Sequence, residues 1–219
     1  MARVASFHLV VHPGPVTAMS RLARDRLRRP DGAVVRWLLG TGRGSDTAPS
    51  ADLRRTAMFA VWESEADLDR YVDAARARVS SRYDVRLRAI GGHGRWRGAD
   101  VLAGLERGSA SGPVAVLTRA RVRVAAWARF RAASGPVSAE LQGARGVLAA
   151  VGVGELPVGR LGTFSLWTDV AAMRAFAAAA HHRDVVRRTR AEDWYGDELF
   201  ARFEPYGASG TWDGRDPLA

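Results

Sequence analysis

The chain has 219 residues, a formal net charge of +10 at pH 7 and no cysteine. The length suits one medium domain or two small fused ones, and the missing thiol excludes disulfides, thiolate metal sites and cysteine nucleophiles. All 33 basic residues are arginine, spread along the chain among acids, which reads as a solvated basic surface and not a nucleic-acid face, although a few arginines holding an anionic ligand fits the same composition.

The opening stretch MARVASFHLVVHPG lacks the long apolar core of a secretory signal, and no apolar run approaches the roughly 18–20 residues of a membrane span. A cytoplasmic protein is the expectation. Residues 4–12 read as a strand, stopped by Pro13-Gly14-Pro15. Residues 15–29 put Val16, Met19, Leu22 and Leu27 at near-helical spacing. Val34–Leu39 and Thr56–Trp62 are expected strands, with a turn at Gly40-Thr41-Gly42-Arg43-Gly44 and loop over 43–52. That glycine run has no helix behind it, so the dinucleotide fingerprint does not apply. Ser64 caps a helix with acids in its first turn, running to about Ser80, and Tyr83–Ile90 is the fourth strand. His93 sits in the glycine-rich turn 91–98 and is expected to be solvated.

This order, βαββαβ, is the ferredoxin-like unit, and it occurs twice. Strands are expected over Pro113–Arg123, Gly146–Val153, Arg160–Trp167 and Leu199–Tyr206, with helices over Val124–Ala133 and from Val170 onward, and a polar tail over Gly207–Ala219. Phe59, Trp62, Leu68 and Tyr71 match Phe164, Trp167, Met173 and Phe176 at a spacing of 105, whereas Gly94–Gly98 matches Gly210–Gly214 at 116. The second copy has therefore gained residues near His181–Tyr195. The expected fold is α+β: tandem ferredoxin-like repeats over 1–98 and 113–219, joined by a linker at 99–112 and packed as an intrachain version of the dimeric α+β barrel.

The insertion carries the chemistry-capable residues. On a continuous helix His182, Val185, Val186 and Thr189 share a face, with Ala178 and Ala179 one turn before. That face is small and apolar around one imidazole, which suits a flat macrocycle with a proximal histidine; a helix-end histidine without a ligand fits the spacing as well. His181 lies about 100° away, so the two histidines do not face one metal together. Arg187, Arg188 and Arg190 follow, either as partners of cofactor carboxylates or as a solvated face paired with Glu192 or Asp193. His8 and His12 share one side of the first strand with Ser6, and His8 reads as a polar core or rim residue or as one pointing into the barrel. Trp62 and Trp167 read as core, and no Ser/His/Asp set is recognisable.

The pieces VRWLLGTGRG, MFAVWES, GPVAVLTRARV, SLWTDVAAMRAFA, RRTR, WYGDELFARF and GTWDGRDPL, in this order, resemble the spheroidene monooxygenase family of bacterial carotenoid biosynthesis. The resemblance implies an oxygenase containing heme b that uses dioxygen and external electrons, from a ferredoxin-type donor, to oxidise an apolar small molecule. Carried over, His182 is the proximal iron ligand with His181 as fallback, and Arg187, Arg188 and Arg190 meet the propionates or give structural support to the helix. The alternatives are a cofactor-free oxygenase of the antibiotic-biosynthesis type, with His8 and Trp37 lining its pocket, and a non-enzymatic heme- or ligand-binding barrel.

Overall fold

The computed structural model describes residues 2–43, 51–76, 81–155 and 160–219. Its elements are β1 (Val4–Val11), α1 (Pro15–Leu27), β2 (Ala33–Gly42), β3 (Ala51–Trp62), α2 (Glu65–Arg76), β4 (Arg82–Gly94), β5 (Val114–Val122), α3 (Trp127–Gln142), β6 (Val147–Glu155), β7 (Arg160–Trp167), α4 (Val170–Ala177), α5 (Ala180–Ala191) and β8 (Tyr195–Gly210). The strands pair antiparallel and close into a barrel in the order β1-β3-β2-β6-β7-β5-β8-β4. The paths β4-β1-β3-β2 and β8-β5-β7-β6 are the same, strand for strand.

Period-two alternation decides what lies inside. Ala5, Phe7 and Leu9 of β1 face the interior, where Phe7 stacks on Phe164 with ring centroids 3.8 Å apart and Trp37 stacks on Trp96 at 3.7 Å. Phe59, Phe203 and Trp212 fill the remaining space, so the barrel is a packed core and not a pore. The alternate residues Val4, Met58, Ala60 and Trp62 face outward, under Leu68 and Val72 of α2. On the other half Val114, Val116 and Trp167 take the outward place, under Met173 of α4 and Leu141 of α3.

The two halves join along β4–β8, from Tyr83 opposite Gly210 to Gly94 opposite Leu199. Each end of that seam holds a glycine at positive φ whose added Cβ would sit 2.1 Å from a facing carbonyl, Glu198 at Gly94 and Arg82 at Gly210. The other seam is β2–β6, through Gly40 opposite Gly154 and Thr41 opposite Val153.

Several expectations are corrected. Gly40-Thr41-Gly42 continues β2 and forms the β2–β6 seam, not a turn; residues 44–50, which hold most of the expected loop, lie outside the described residues, as do 77–80 at the expected end of α2. The helix expected at Val124–Ala133 is a 3-10 turn over Val124–Ala126 followed by α3, which runs on through Gly135-Pro136. Burial of Phe130, Ser134, Ser138 and Leu141 on one face overrides these two poor helix formers. The helical region from Val170 is two helices, because Ala179 is extended (φ −64°, ψ 152°). The polar tail is neither wholly polar nor free: β8 reaches Gly210, and Trp212 is 4% exposed against Phe7 and Phe164. In the linker, Val101 and Leu105 are core residues and Leu105 bridges Arg3. α1 is a helix as expected, but only Ala18 and Leu22 of it are buried.

Candidate active site

A cleft of about 370 Å³ opens between the outer face of β5, β7 and β8 and the helices α3, α4 and α5. The sheet wall is Val116, Thr118, Thr163, Ser165 and Phe200; the helix wall includes Phe176, Ala177, His182, Val185, Val186 and Thr189. His182, Val185, Val186 and Thr189 line the cleft together as expected, whereas Ala178 and Ala179, expected one turn before on the same face, lie at the break between α4 and α5 and do not line it. The helix wall around His182 is mainly apolar, whereas the sheet wall sets three hydroxyls beside Val116 and Phe200.

Three local features position His182. Asp169 caps α4 by accepting from the Ala172 amide at 2.7 Å, and this bond holds its carboxyl below the usual range. The chain then breaks at Ala178–Ala179 and restarts as α5. Glu140 of α3 stands in for the missing cap, accepting from the His182 amide at 3.0 Å. Partial burial opposes ionisation of Glu140, but the His182 amide and the His181 ring together keep its carboxyl below the usual range.

The His182 ring is half-buried, 4.8 Å from the Phe176 ring. Its Nδ1 lies 3.2 Å from the Ala177 carbonyl, which only accepts, so Nδ1 carries the proton. Burial lowers the imidazole pKa below 6.5 against weaker opposing effects of the Ala177 carbonyl and Glu140. The neutral ring therefore presents an unprotonated Nε2, with no hydrogen-bond partner among the described residues. A backbone carbonyl fixing one ring nitrogen while the other stays free is the usual setting of a metal-binding imidazole.

His181 is elsewhere. Its side chain is 63% exposed, with Nδ1 3.5 Å from Glu140, and it does not line the cleft. The arginines also separate. Arg187 pairs with Asp184 in solvent, and Arg188 pairs with Glu192 at 3.3 Å while lying over the Trp194 ring. Arg190 lines the cleft and has no acidic partner among the described residues. His93 is exposed and also reaches this cleft, stacked on Phe200. Among the described residues no group of three or more His, Asp or Glu side chains could hold a bare ion.

A second polar constellation lies under α2. Trp62 Nε1 donates to Ser6 Oγ at 2.8 Å, Ser6 Oγ lies 2.7 Å from His8 Nε2, and His8 Nδ1 donates to Asp84 Oδ1 at 2.6 Å. Arg82 closes on Asp84. The order is that of a nucleophile, base and acid. The Ser6 oxygen is however engaged by the indole, and Ser6 and His8 are 0% and 1% exposed, so the chain is a buried polar strut. Sequence reading missed it because Asp84 stands on another strand and only pairing of β1 with β4 sets it opposite His8. His8 thus faces outward, whereas Trp37 lies inside the barrel between Phe59 and Trp96. The two residues on which a cofactor-free pocket was to rest do not share a cavity.

Burial lowers the His8 pKa more than the Asp84 bond and charge raise it. Above pH 6.5 the ring is neutral whether folded or unfolded. Below that value the unfolded chain takes up a proton that the folded one refuses, so stability falls as the pH drops from 6.5 toward the folded pKa. His12 and His182, also lowered by burial, add in the same direction. The unfolding free energy from urea titrations should change little between pH 7.5 and 6.5 and fall between 6.5 and 5.5, by up to about 1.4 kcal/mol for each of these histidines; a value that rises over the lower interval would contradict the assignment.

Comparison with known proteins now places the chain. It is 35% identical over 192 residues to the spheroidene monooxygenase of Rubrivivax gelatinosus, covering 84% of this chain and 73% of that protein. It is 33% identical over 196 residues to that of Rhodobacter capsulatus, covering 83% and 79%. The chain belongs to the spheroidene monooxygenase family. It is also 32% identical over 191 residues to the Cereibacter sphaeroides member, which is longer: the match spans 83% of this chain but 58% of that relative. No protein-family model matches the chain. Among solved structures, aldoxime dehydratase (OxdRE) in complex with butyraldoxime superposes with a TM-score of 0.61 at 10% identity, over 94% of this chain and 80% of that one. A second aldoxime dehydratase structure gives 0.56 at 12% identity, over 93% and 82%. These likenesses extend the family's fold beyond its sequence relatives. Among the described residues, no helix is long and apolar enough to cross a membrane.

Proposed function

We propose that this member of the spheroidene monooxygenase family is a heme-b-dependent monooxygenase that oxidises an apolar small molecule, with His182 as the proximal ligand. The observation that carries the reading is the His182 ring itself, pinned through Nδ1 to the Ala177 carbonyl with Nε2 free at the cleft. The cleft fits the group. It is a slot between a sheet and helices, its helix wall is Ala177, Val185 and Val186 around the imidazole, and the one free cation among the described cleft-lining arginines is Arg190. The other, Arg119, is buried against Glu155 at 3.0 Å.

When bound, the heme supplies dioxygen activation at its iron. The chain's own residues do the rest. His182 Nε2 ligates, and the Nδ1–H bond to Ala177 keeps the ring in the ligating tautomer. Arg190 holds a carboxylate at the cleft lip. Phe130, Leu141 and Met173 close the helix side against water. On the sheet wall Val116, Leu161 and Phe200 offer an apolar substrate its contact surface, while the hydroxyls of Thr118 and Thr163 hydrogen-bond to each other at 2.7 Å. Electrons come from an external donor of the ferredoxin type, and the +10 charge suits an acidic partner. The identical strand paths of the two halves, with matched residues 105 apart, support reading the scaffold as two ferredoxin-like repeats over 1–98 and 113–219.

The test is an absorption spectrum of protein produced with heme, followed by oxygen-dependent conversion of an apolar polyene with reduced ferredoxin. Folded protein without a Soret band would remove the heme, and a Soret band without product would reduce the site to a carrier. Replacing Arg190 with Gln should weaken heme binding about three- to tenfold, since its charge-assisted bond lies at the solvent-exposed lip. The change Arg187→Gln should leave heme affinity unaltered, and equal losses in both variants would argue against the assignment.

A further inference from the structure

The outer surface of α1 carries a second apolar face that the fold does not use. Ala18 and Leu22 are its buried residues. Val16 is 79% exposed, Met19 46% and Leu27 89%, and Ala23 is exposed between them. On the helical wheel these four fall within an arc of about 80°, turned about 120° from the buried pair. Arg26 borders that arc on one side and Arg24 on the other. Both are exposed, and neither has an acidic partner among the described residues. The only acid of the helix, Asp25, lies on the opposite side of the wheel. An apolar stripe between unpaired arginines is the pattern of a helix lying in the plane of a charged interface.

We propose that α1 is a peripheral docking helix for an anionic lipid surface, laying Val16, Met19, Ala23 and Leu27 among the acyl chains while Arg24 and Arg26 meet the headgroups. Charge selects this occupant. A second copy would bring another +10 chain to the same face, and a two-fold contact would set the arginines against their own images. An anionic bilayer offers both an apolar layer for the stripe and opposite charge for its borders. The inference is independent of the heme reading.

Flotation of the full chain with vesicles of phosphatidylcholine containing phosphatidylglycerol tests it, against vesicles of phosphatidylcholine alone. Binding is expected only with the anionic lipid. The double variant Val16→Ser/Leu27→Ser keeps the charge and alters two solvent-facing side chains, so its circular dichroism should match the parent. Its partitioning should fall about tenfold or more. The variant Arg24→Gln/Arg26→Gln should fall by a similar factor and lose much of its salt sensitivity. Equal partitioning of the serine variant and the parent would mean diffuse charge binding and overturn the proposal. So would absence of flotation with either vesicle, or a parent dimer that the serine variant converts to monomer.

Discussion

On the proposed heme reading, replacing His182 with Ala should abolish the Soret band, while His181→Ala should leave it intact. The loss should exceed the roughly 10–100-fold drop typical of outer-shell changes, because the substitution takes away the proposed ligand itself. The contrast between two adjacent residues follows from the break at Ala178–Ala179. It starts α5 so that the second histidine turns to the cleft and the first turns to Glu140 and solvent. The variant should fold, since Glu140 bonds the backbone amide at position 182 and not the ring. Matching circular dichroism with partial return of the band on adding imidazole would complete the case. A band that persists in His182→Ala, or disappears only in His181→Ala, would sink it.

Asp84→Ala should lower the unfolding free energy by about 3–5 kcal/mol, the usual cost of stranding one partner of a buried pair. Arg82 is 4% exposed and Asp84 5%, and Asp84 also accepts from the equally buried His8. Desolvation opposes its charge, yet the hydrogen bond from His8 and the bonds and charge of Arg82 keep the carboxyl below its usual range, so it is ionised at neutral pH. Removal leaves a guanidinium in the interior without its counter-charge and a ring N–H without an acceptor. Denaturant midpoints should shift with little change in slope. The exposed pair of Arg3 with Glu63, whose side chains are 36% and 57% exposed, provides the control; Glu63→Ala should cost under about 1 kcal/mol. A loss at Asp84 no greater than at Glu63 would mean that the strut carries no stability.

Much of this was legible before any coordinates. The apolar alternation in the eight strands and the matched residues, such as Trp62 and Trp167, foretold an α+β barrel, because they record which face must be covered. The cleft face of α5 was legible because His182, Val185, Val186 and Thr189 obey helical spacing. What was not legible arises from contacts between distant segments. Nothing local marks the break within four consecutive alanines, where a carboxylate from α3 supplies the new cap. The tail looked polar because its two large apolar residues, Trp212 and Leu218, are set among Gly, Asp and Arg. The three arginines were alike in sequence, and only the geometry of α5 separates Arg190, which lines the cleft, from Arg187 and Arg188. Asp84 met His8 only after strand pairing.

The contrast between the two outer faces sets how many ligands one chain can take. Trp62 stands opposite Val4 as Trp167 stands opposite Val114, so His8 and Thr118 occupy the same place in their respective halves. Under α2 the imidazole of His8 packs edge-on to Tyr71 at 5.0 Å and leaves a cavity of about 160 Å³. Under α4 and α5 a threonine at that place leaves about 370 Å³. A scaffold with two similar faces has thus closed one with its own side chains. On the heme reading, loading saturates at one macrocycle per chain, and the filled face serves as the rigid backing against which the open one keeps its shape.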